Sequence, residues 1–332
     1  MNNIIKAELL WTRVCPLKCS YCSMATGKKN TVSLEQWKLG MHQLKQLDCS
    51  FAAFYGAEPL ADFDKLPEVI NYAELLGIKT TVITSGFVKN TAKKLRTLYD
   101  FGLRSLTVSY DMISLDMSSR VKTRLALNTI ERFRSFGDVR DVAVVATLTK
   151  KNFKYLPETI KEMSEKGIWT FFDLIHADRK QPGSKVKNTE IDLMFSSDDL
   201  RELAEVLNEV IDMKKRGYLC HASEIFMKHI IDSQNDIYNW NCANADVFDA
   251  FPSWVTVDCD GIVYPCDDFQ PKLKHAPVHI WELADKWNYW NDMWFSYVLC
   301  DCPGCCWNTH MDAHAIKNGL LPLTDYIHGV KS

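Results

Sequence analysis

Short runs of β-branched and apolar residues alternate with longer stretches of helical period through the first half of the chain. Residues 4–11 read as a strand. Residues 33–47 read as a helix opened by Ser33 and Gln36 at capping-box spacing. Strand-like and helical stretches then follow in turn at 50–55, 64–76, 78–84, 90–101, 103–109, 117–136, 142–148, 155–166 and 168–175. A glycine stands just past four of these helices (Gly77, Gly102, Gly137 and Gly167), where a left-handed cap is needed. Six strand–helix units in series predict an α/β fold around a parallel sheet with right-handed crossovers. In such folds the chemistry gathers at the C-terminal ends of the strands.

The rhythm changes past residue 177. Residues 178–188 form a polar, Lys-rich connector, and 196–216 a long amphipathic helix behind an Asp-rich turn. From Cys242 onward cysteine, tryptophan and proline dominate. Residues 254–258 and 262–264, joined through Asp260-Gly261, predict a hairpin, and 282–297 a helix. Trp287, Trp290 and Trp294 fall on one face of that helix, as core or shielding residues do. The expected division is 1–177, a connector and helical segment at 178–235, and a terminal unit at 236–332.

Composition narrows the class. Of the 332 residues, 47% are hydrophobic and 24% charged, the balance of a soluble globular protein. A net charge of −3 offers no general attraction to nucleic acid or anionic membranes. Neither a signal peptide nor an 18-residue apolar stretch is present, so the expected compartment is the cytoplasm, without membrane attachment. Twelve cysteines in a reducing compartment then need a reason other than disulfides, and their grouping at 15–22 and 242–306 points to metal.

The first group is Cys15-Pro-Leu-Lys-Cys19-Ser-Tyr-Cys22, a C-x3-C-x2-C pattern in the loop after the first strand. Chance would supply such a pattern only about 0.02 times at this cysteine content. Three thiolates can each hold one iron of a cubane and leave the fourth iron open to a small molecule. Zinc would ask for a fourth Cys or His close by, and none lies within 15 residues of Cys22.

With Tyr21 just before the last cysteine, this segment resembles the signature of the radical S-adenosylmethionine (SAM) superfamily, and the resemblance extends over about residues 4–176. Gly56-Ala57-Glu58-Pro59-Leu60 looks like that family's GGEPL segment, with Ala57 departing from it. Thr84-Ser85-Gly86 is similar to its TNG turn, and Ser109-Tyr110-Asp111 to its S-x-D segment. The resemblance implies a partial (β/α)6 parallel barrel with a [4Fe–4S] cluster on Cys15, Cys19 and Cys22. It further implies SAM held near Tyr21, Gly56, Ala57, Glu58, Pro59, Thr84, Ser85, Ser109 and Asp111. There Glu58 would meet the SAM ammonium, and Arg124 its carboxylate.

The second group resembles the SPASM/twitch extension, a hairpin-plus-helix unit. The resemblance implies an auxiliary [4Fe–4S] cluster on Cys242, Cys266, Cys302 and Cys305. A zinc site on Cys302, Cys305, His310 and His314 competes with it on spacing, and plain structural or redox-sensing thiols are a third reading. Cys49 and Cys220 read as buried thiols.

The activity this implies is reductive cleavage of SAM and hydrogen abstraction from a substrate, with an electron donor such as flavodoxin or ferredoxin. Asp173 and His176 are the candidate substrate-facing catalytic residues, although strand alternation cannot turn both inward. The first strand begins within the first few residues, so no leader-binding domain is expected ahead of the barrel. That tips the expectation slightly toward dehydrogenation of a small molecule over modification of a peptide. A non-catalytic iron–sulfur or zinc protein is the reading of another class.

Overall fold

The computed structural model describes residues 4–113, 116–175, 192–233, 237, 253–264, 266, 276–300 and 307–323. Six parallel strands alternate with helices, as the hydrophobic rhythm requires. The order is β1 (Lys6–Thr12), α1 (Leu34–Gln46), β2 (Phe51–Gly56), α2 (Leu66–Leu75), β3 (Lys79–Thr84), α3 (Thr91–Asp100), β4 (Ser105–Ser109), α4 (Met117–Arg134), β5 (Asp141–Leu148), α5 (Leu156–Glu165) and β6 (Trp169–Leu174). The Ser33–Gln36 capping box opens α1, and the four glycines expected as helix stops all take positive φ.

Beyond the core come α6 (Ser197–Lys215), α7 (Glu224–Asp232), β7 (Trp254–Val257), β8 (Val263–Tyr264), α8 (Trp287–Cys300) and α9 (Asn308–Lys317). The sheet is a curved, open array of eight strands in the order β6-β5-β4-β3-β2-β1-β7-β8, parallel except for the β7–β8 hairpin. It is a partial barrel.

The hairpin falls within the unit expected at 236–332, and its first strand continues the main sheet, pairing with β1 in parallel from Lys6↔Trp254 to Leu9↔Val257. All four residues of β7 are buried, as a strand inside a covered sheet is. Trp287, Trp290 and Trp294 are buried, with the first two rings stacked at 5.4 Å. Gly40 in α1 permits a close seat for this later part of the chain: a Cβ there would lie 2.9 Å from the side chain of Ile280.

The sequence pattern did not single out α7. His176, Cys242, Cys302 and Cys305, and the connector at 178–188, lie outside the described residues.

Candidate active site

The cysteine loop is closed at its base. The Arg13 N–H donates to the Lys28 carbonyl at 2.8 Å, and the Gly27 N–H returns to the Arg13 carbonyl at 2.9 Å. Asp62, behind the loop, accepts from the Asn30 N–H at 2.7 Å and from Thr12 Oγ1 at 3.2 Å. On the far side, Arg13 pairs with Asp258 of the β7–β8 turn at 3.2 Å. The segment carrying Cys15, Cys19 and Cys22 therefore leaves β1 and re-enters the fold through fixed points.

The start of α4 fastens the loop's tip. Asp116, the N-cap, accepts from the Ser20 N–H at 2.7 Å as well as from Ser119 of its own first turn. Ser118 Oγ accepts from the Lys18 N–H at 3.0 Å. The Tyr21 hydroxyl donates to Asp111 Oδ2 at 2.8 Å, and Lys122 reaches both the same carboxylate oxygen, at 2.5 Å, and the tyrosine hydroxyl. Burial alone would lower the Lys122 ammonium, but Asp111 and Cys19 outweigh it and hold the ammonium above its ordinary range. Burial, then Asp111, pushes the Tyr21 phenol well up.

The sequence reading placed Arg124 at the site. The cation that α4 turns to the loop is Lys122, whereas Arg124 is exposed. Two residues advance a helix by about 200°, so one of them faces the loop and the other faces water. Lys122, Asp116 and Ser118 were missed. The capping spacing of Asp116 and Ser119 was the available signal, but it points to a helix start and not to what the cap also holds.

Burial pushes the Cys15 and Cys19 thiols up to about 11. Their neighbouring thiols add to the rise, because thiolates crowded together repel. Such a set favours a cationic iron centre, and the donors suit a [4Fe–4S] cluster. No three Cys, His, Asp or Glu side chains among the described residues converge on a single-ion point. The competing zinc histidines are both buried against Trp254, His310 stacked at 3.9 Å and His314 edge-on at 5.0 Å. Cys49 and Cys220 are buried, as read.

At the end of β2, Gly56 has φ +135°, and a Cβ there would sit 2.5 Å from the Thr12 carbonyl. Only glycine fits. Ala57 has no positive φ, and its N–H donates to the same carbonyl at 2.9 Å, so the departure from the family's double glycine introduces no strain. Glu58 is fully buried, and its oxygens accept from Leu60 N (3.1 Å), Thr84 Oγ1 (2.6 Å), Ser85 N (2.8 Å) and Ser85 Oγ (2.5 Å). The sequence reading turned Glu58 toward an ammonium. Here four donors fill the carboxylate, so it braces the loops after β2 and β3 against each other. Pro59 is buried in the short turn that follows. Ser109 is half-buried at the end of β4, and Asp111 is buried beyond it.

Inside the curve of the sheet lies a cavity of about 270 Å³. Met24, two residues past Cys22, lines it on the side of the cysteine loop, and Tyr55, Ile83, Val145 and Phe171 form apolar walls. Its floor is charged, built from Lys6, Glu8 and Asp173 with Trp307 beside them. Lys6 pairs with Glu8 at 2.7 Å, and Glu8 Oε2 stands 3.5 Å from His310 Nε2. Burial opposes the Glu8 charge, but Lys6 and His310 hold that carboxyl well below its usual range. Asp173 accepts from the Asn308 N–H at 3.0 Å, and burial raises it well above an ordinary carboxyl. Asp173 thus lines the cavity.

An open parallel barrel with a cysteine-bearing loop at the C-terminal end of its first strand, beside a cavity inside the curve of the sheet, defines a class of cluster-dependent enzyme fold. The sequence profile of the Radical SAM superfamily matches residues 9–176, and the chain belongs to that superfamily.

Among curated relatives, the PqqA peptide cyclase of Bradyrhizobium diazoefficiens is 33% identical over 160 residues, covering 45% of this chain and 40% of the relative. The PqqA peptide cyclase of Rhodopseudomonas palustris is 31% identical over 113 residues, 33% of this chain and 29% of that one. The matched part thus spans well under half the length of these relatives. In fold, the chain is similar to Streptococcus suis SuiB bound to S-adenosylmethionine: TM-score 0.64, 18% identity, over 86% of this chain and 66% of that one. It is also similar to anSMEcpe with bound AdoMet and Cp18Cys peptide: TM-score 0.59, 13% identity, over 98% and 99%.

Proposed function

We propose that this chain is a peptide-modifying radical SAM enzyme. Cys15, Cys19 and Cys22 would hold a [4Fe–4S] cluster. The strand ends at Gly56–Pro59, Thr84–Ser85 and Ser109 would form the SAM site, with Tyr21 and Asp111 behind the cluster loop. When bound, cluster and SAM together supply reductive cleavage of SAM and a radical able to abstract hydrogen. The chain's own residues do the rest. Asp116, Ser118, Asp111 and Lys122 fix the cysteine loop, Glu58 locks two neighbouring loops, and the apolar walls exclude water from the reacting carbon.

The observation that carries this reading is the cavity that runs from Met24, beside the cysteine loop, to Asp173. A substrate group held in it would lie next to where the radical would form.

Two findings support a peptide over the small-molecule dehydrogenation preferred from the sequence. The curated relatives are named for a peptide cyclase, and a solved structure of similar fold is SuiB bound to its precursor peptide SuiA, with TM-score 0.63. An auxiliary cluster on Cys242, Cys266, Cys302 and Cys305 belongs to the same proposal, as does net oxidation of the substrate. Among these four, Cys266 is described and is half-buried.

The test is anaerobic reconstitution followed by incubation with SAM and a strong reductant. Wild type should form 5′-deoxyadenosine and Cys19→Ala none. Candidate precursor peptides should lose two hydrogens by mass spectrometry. About eight irons per chain supports two cubanes and about four supports one. Absence of 5′-deoxyadenosine from iron-loaded wild type would remove the proposal.

A further inference from the structure

Among the described residues, the inward face of the sheet is less well covered than the outward one. On β5, Val142, Val144 and Leu148 are buried, whereas Ala143, Val145 and Thr147, which line the cavity, are only half-buried. On β6, Phe172 and Leu174 are buried and the cavity-lining Phe171 is half-buried. The residues themselves give the cause. Inward positions of a parallel barrel are ordinarily taken by bulky branched side chains that fill the lumen. Here they are small at mid-strand: Ala53 on β2, Thr81 on β3, Thr107 on β4 and Ala143 on β5. Ala53 is level with Thr81 in register, and Thr107 with Ala143. The space they leave is about 270 Å³. An apolar cavity of about 150 Å³ already accepts a benzene ring.

A second, independent observation is that the polar groups lining this space are matched or uncharged. Lys6 and Glu8 pair with each other at 2.7 Å, and Glu8 also meets His310 at 3.5 Å. Asp173 accepts from the Asn308 N–H, and burial pushes it well above the ordinary carboxyl range, toward its uncharged form. The hydroxyls of Thr81, Thr107 and Thr147 carry no charge, and His221 lies edge-on to Phe171 at 5.4 Å. An ammonium or carboxylate entering here would give up its water without gaining a counter-charge of its own.

We infer that this cavity receives a neutral, apolar side chain of the substrate, seated in the space left by the small inward residues of β2–β5. This rests on reading the cavity as the substrate site and adds the chemical class of the group that enters it. The driving force is the half-covered apolar surface of Ile83, Val145 and Phe171, which a hydrocarbon group removes from water. Ala143 helps to set the room available, because a longer side chain at that position projects into the cavity.

The test uses the anaerobically reconstituted protein with SAM and without reductant. Three capped amino acids serve as probes, Nα-acetyl-norleucine amide, Nα-acetyl-lysine amide and Nα-acetyl-glutamate amide, with affinities from ligand-observed NMR. Norleucine and lysine share an alkyl stem, so their difference isolates the charge. The norleucine probe should bind at least about tenfold more tightly than either charged probe. Ala143→Leu, with its folding checked by thermal unfolding, should weaken the norleucine probe by at least about tenfold. Should that variant not fold, the wild-type ranking decides by itself. Lysine or glutamate binding as tightly as norleucine, no detectable norleucine binding, or an unchanged norleucine affinity in folded Ala143→Leu would overturn the inference. The two readings fail separately. Loss of SAM cleavage in wild type removes the enzyme reading and leaves the ranking measurable, whereas loss of the ranking leaves SAM cleavage intact.

Discussion

The backbone N–H of Asn308 donates to Asp173 Oδ1 at 3.0 Å, joining the first residue of α9 to the last strand of the core. Two residues along the same helix, His310 lies against Glu8 of β1 and stacks on Trp254 of β7. Strands β1 and β6 are the two ends of the six-strand array, and among the described residues they are not paired to each other. Helix α9 therefore spans the gap that an open barrel leaves. The terminal part of the chain completes the cavity wall and places Trp307 inside it.

Asn308→Pro tests that closure. Proline is tolerated at the first position of a helix, so α9 should persist while the donor to Asp173 is lost. A buried acceptor without its partner costs about 1–3 kcal/mol. The thermal midpoint should fall by a few degrees, about 2–4 °C per kcal/mol, and an unchanged midpoint would show that α9 docks without this bond.

Lys122 is the cation that secures the cysteine loop through Tyr21 and Asp111. Lys122→Met leaves the Asp111 carboxylate buried without its ammonium, a change that costs about 3–5 kcal/mol in comparable pairs. The expected result is a lower melting temperature and poorer iron retention at Cys15, Cys19 and Cys22. Adding Asp111→Asn should restore part of the stability, because the stranded charge is gone. If the single variant keeps full iron content and melting temperature, the latch does not matter.

Gly56 and Ala57 separate backbone need from family resemblance. Gly56→Ala puts a Cβ 2.5 Å from the Thr12 carbonyl at φ +135°, and neither can shift without moving β1. Soluble yield should fall sharply. Ala57→Gly should alter stability by no more than about 1 kcal/mol, since the native φ suits either residue. Equal tolerance of both changes, measured by thermal unfolding, would contradict the geometry.

These contrasts show what the residue string could and could not reveal. The six strands, their helices and the cysteine loop were legible because their signals are local: period, cap and spacing. The pairing of β7 with β1 was not, because parallel partners far apart in sequence leave no local mark. Glu58 was legible as important, but its four donors were not, since a motif names a residue without saying what reaches it. Lys122 was passed over for Arg124 because helical phase decides between them, and the phase is set by how α4 packs on the sheet. Asp173 was singled out from its place near a strand end. Its donor, the Asn308 N–H, is supplied by a residue 135 positions away, which no pattern could suggest.

Asp312 gives the molecule a dependence on pH that can be measured directly. It is buried beneath α7, where Ser223 Oγ donates to Oδ1 and Oδ2 has no hydrogen-bond partner. Burial raises this carboxyl to about 7, above its ordinary 3.8. Between those values the folded chain holds a proton that the unfolded chain has released, so stability is full below about 4 and declines as pH rises through about 7. The loss attributable to this one group has a ceiling of about 4 kcal/mol. Asp312→Asn keeps the hydrogen-bonding shape without the ionisation. The variant should therefore melt higher than wild type at pH 8, and the difference should shrink toward pH 5. His314, which burial followed by His310 lowers to about 3, works in the opposite sense: its stability is present above 6.5 and is lost as pH falls. The His314 slope is common to wild type and Asp312→Asn and so cancels from the difference between them. A variant that follows the wild-type curve across pH 5–8 would show that Asp312 is ionised in the folded chain throughout.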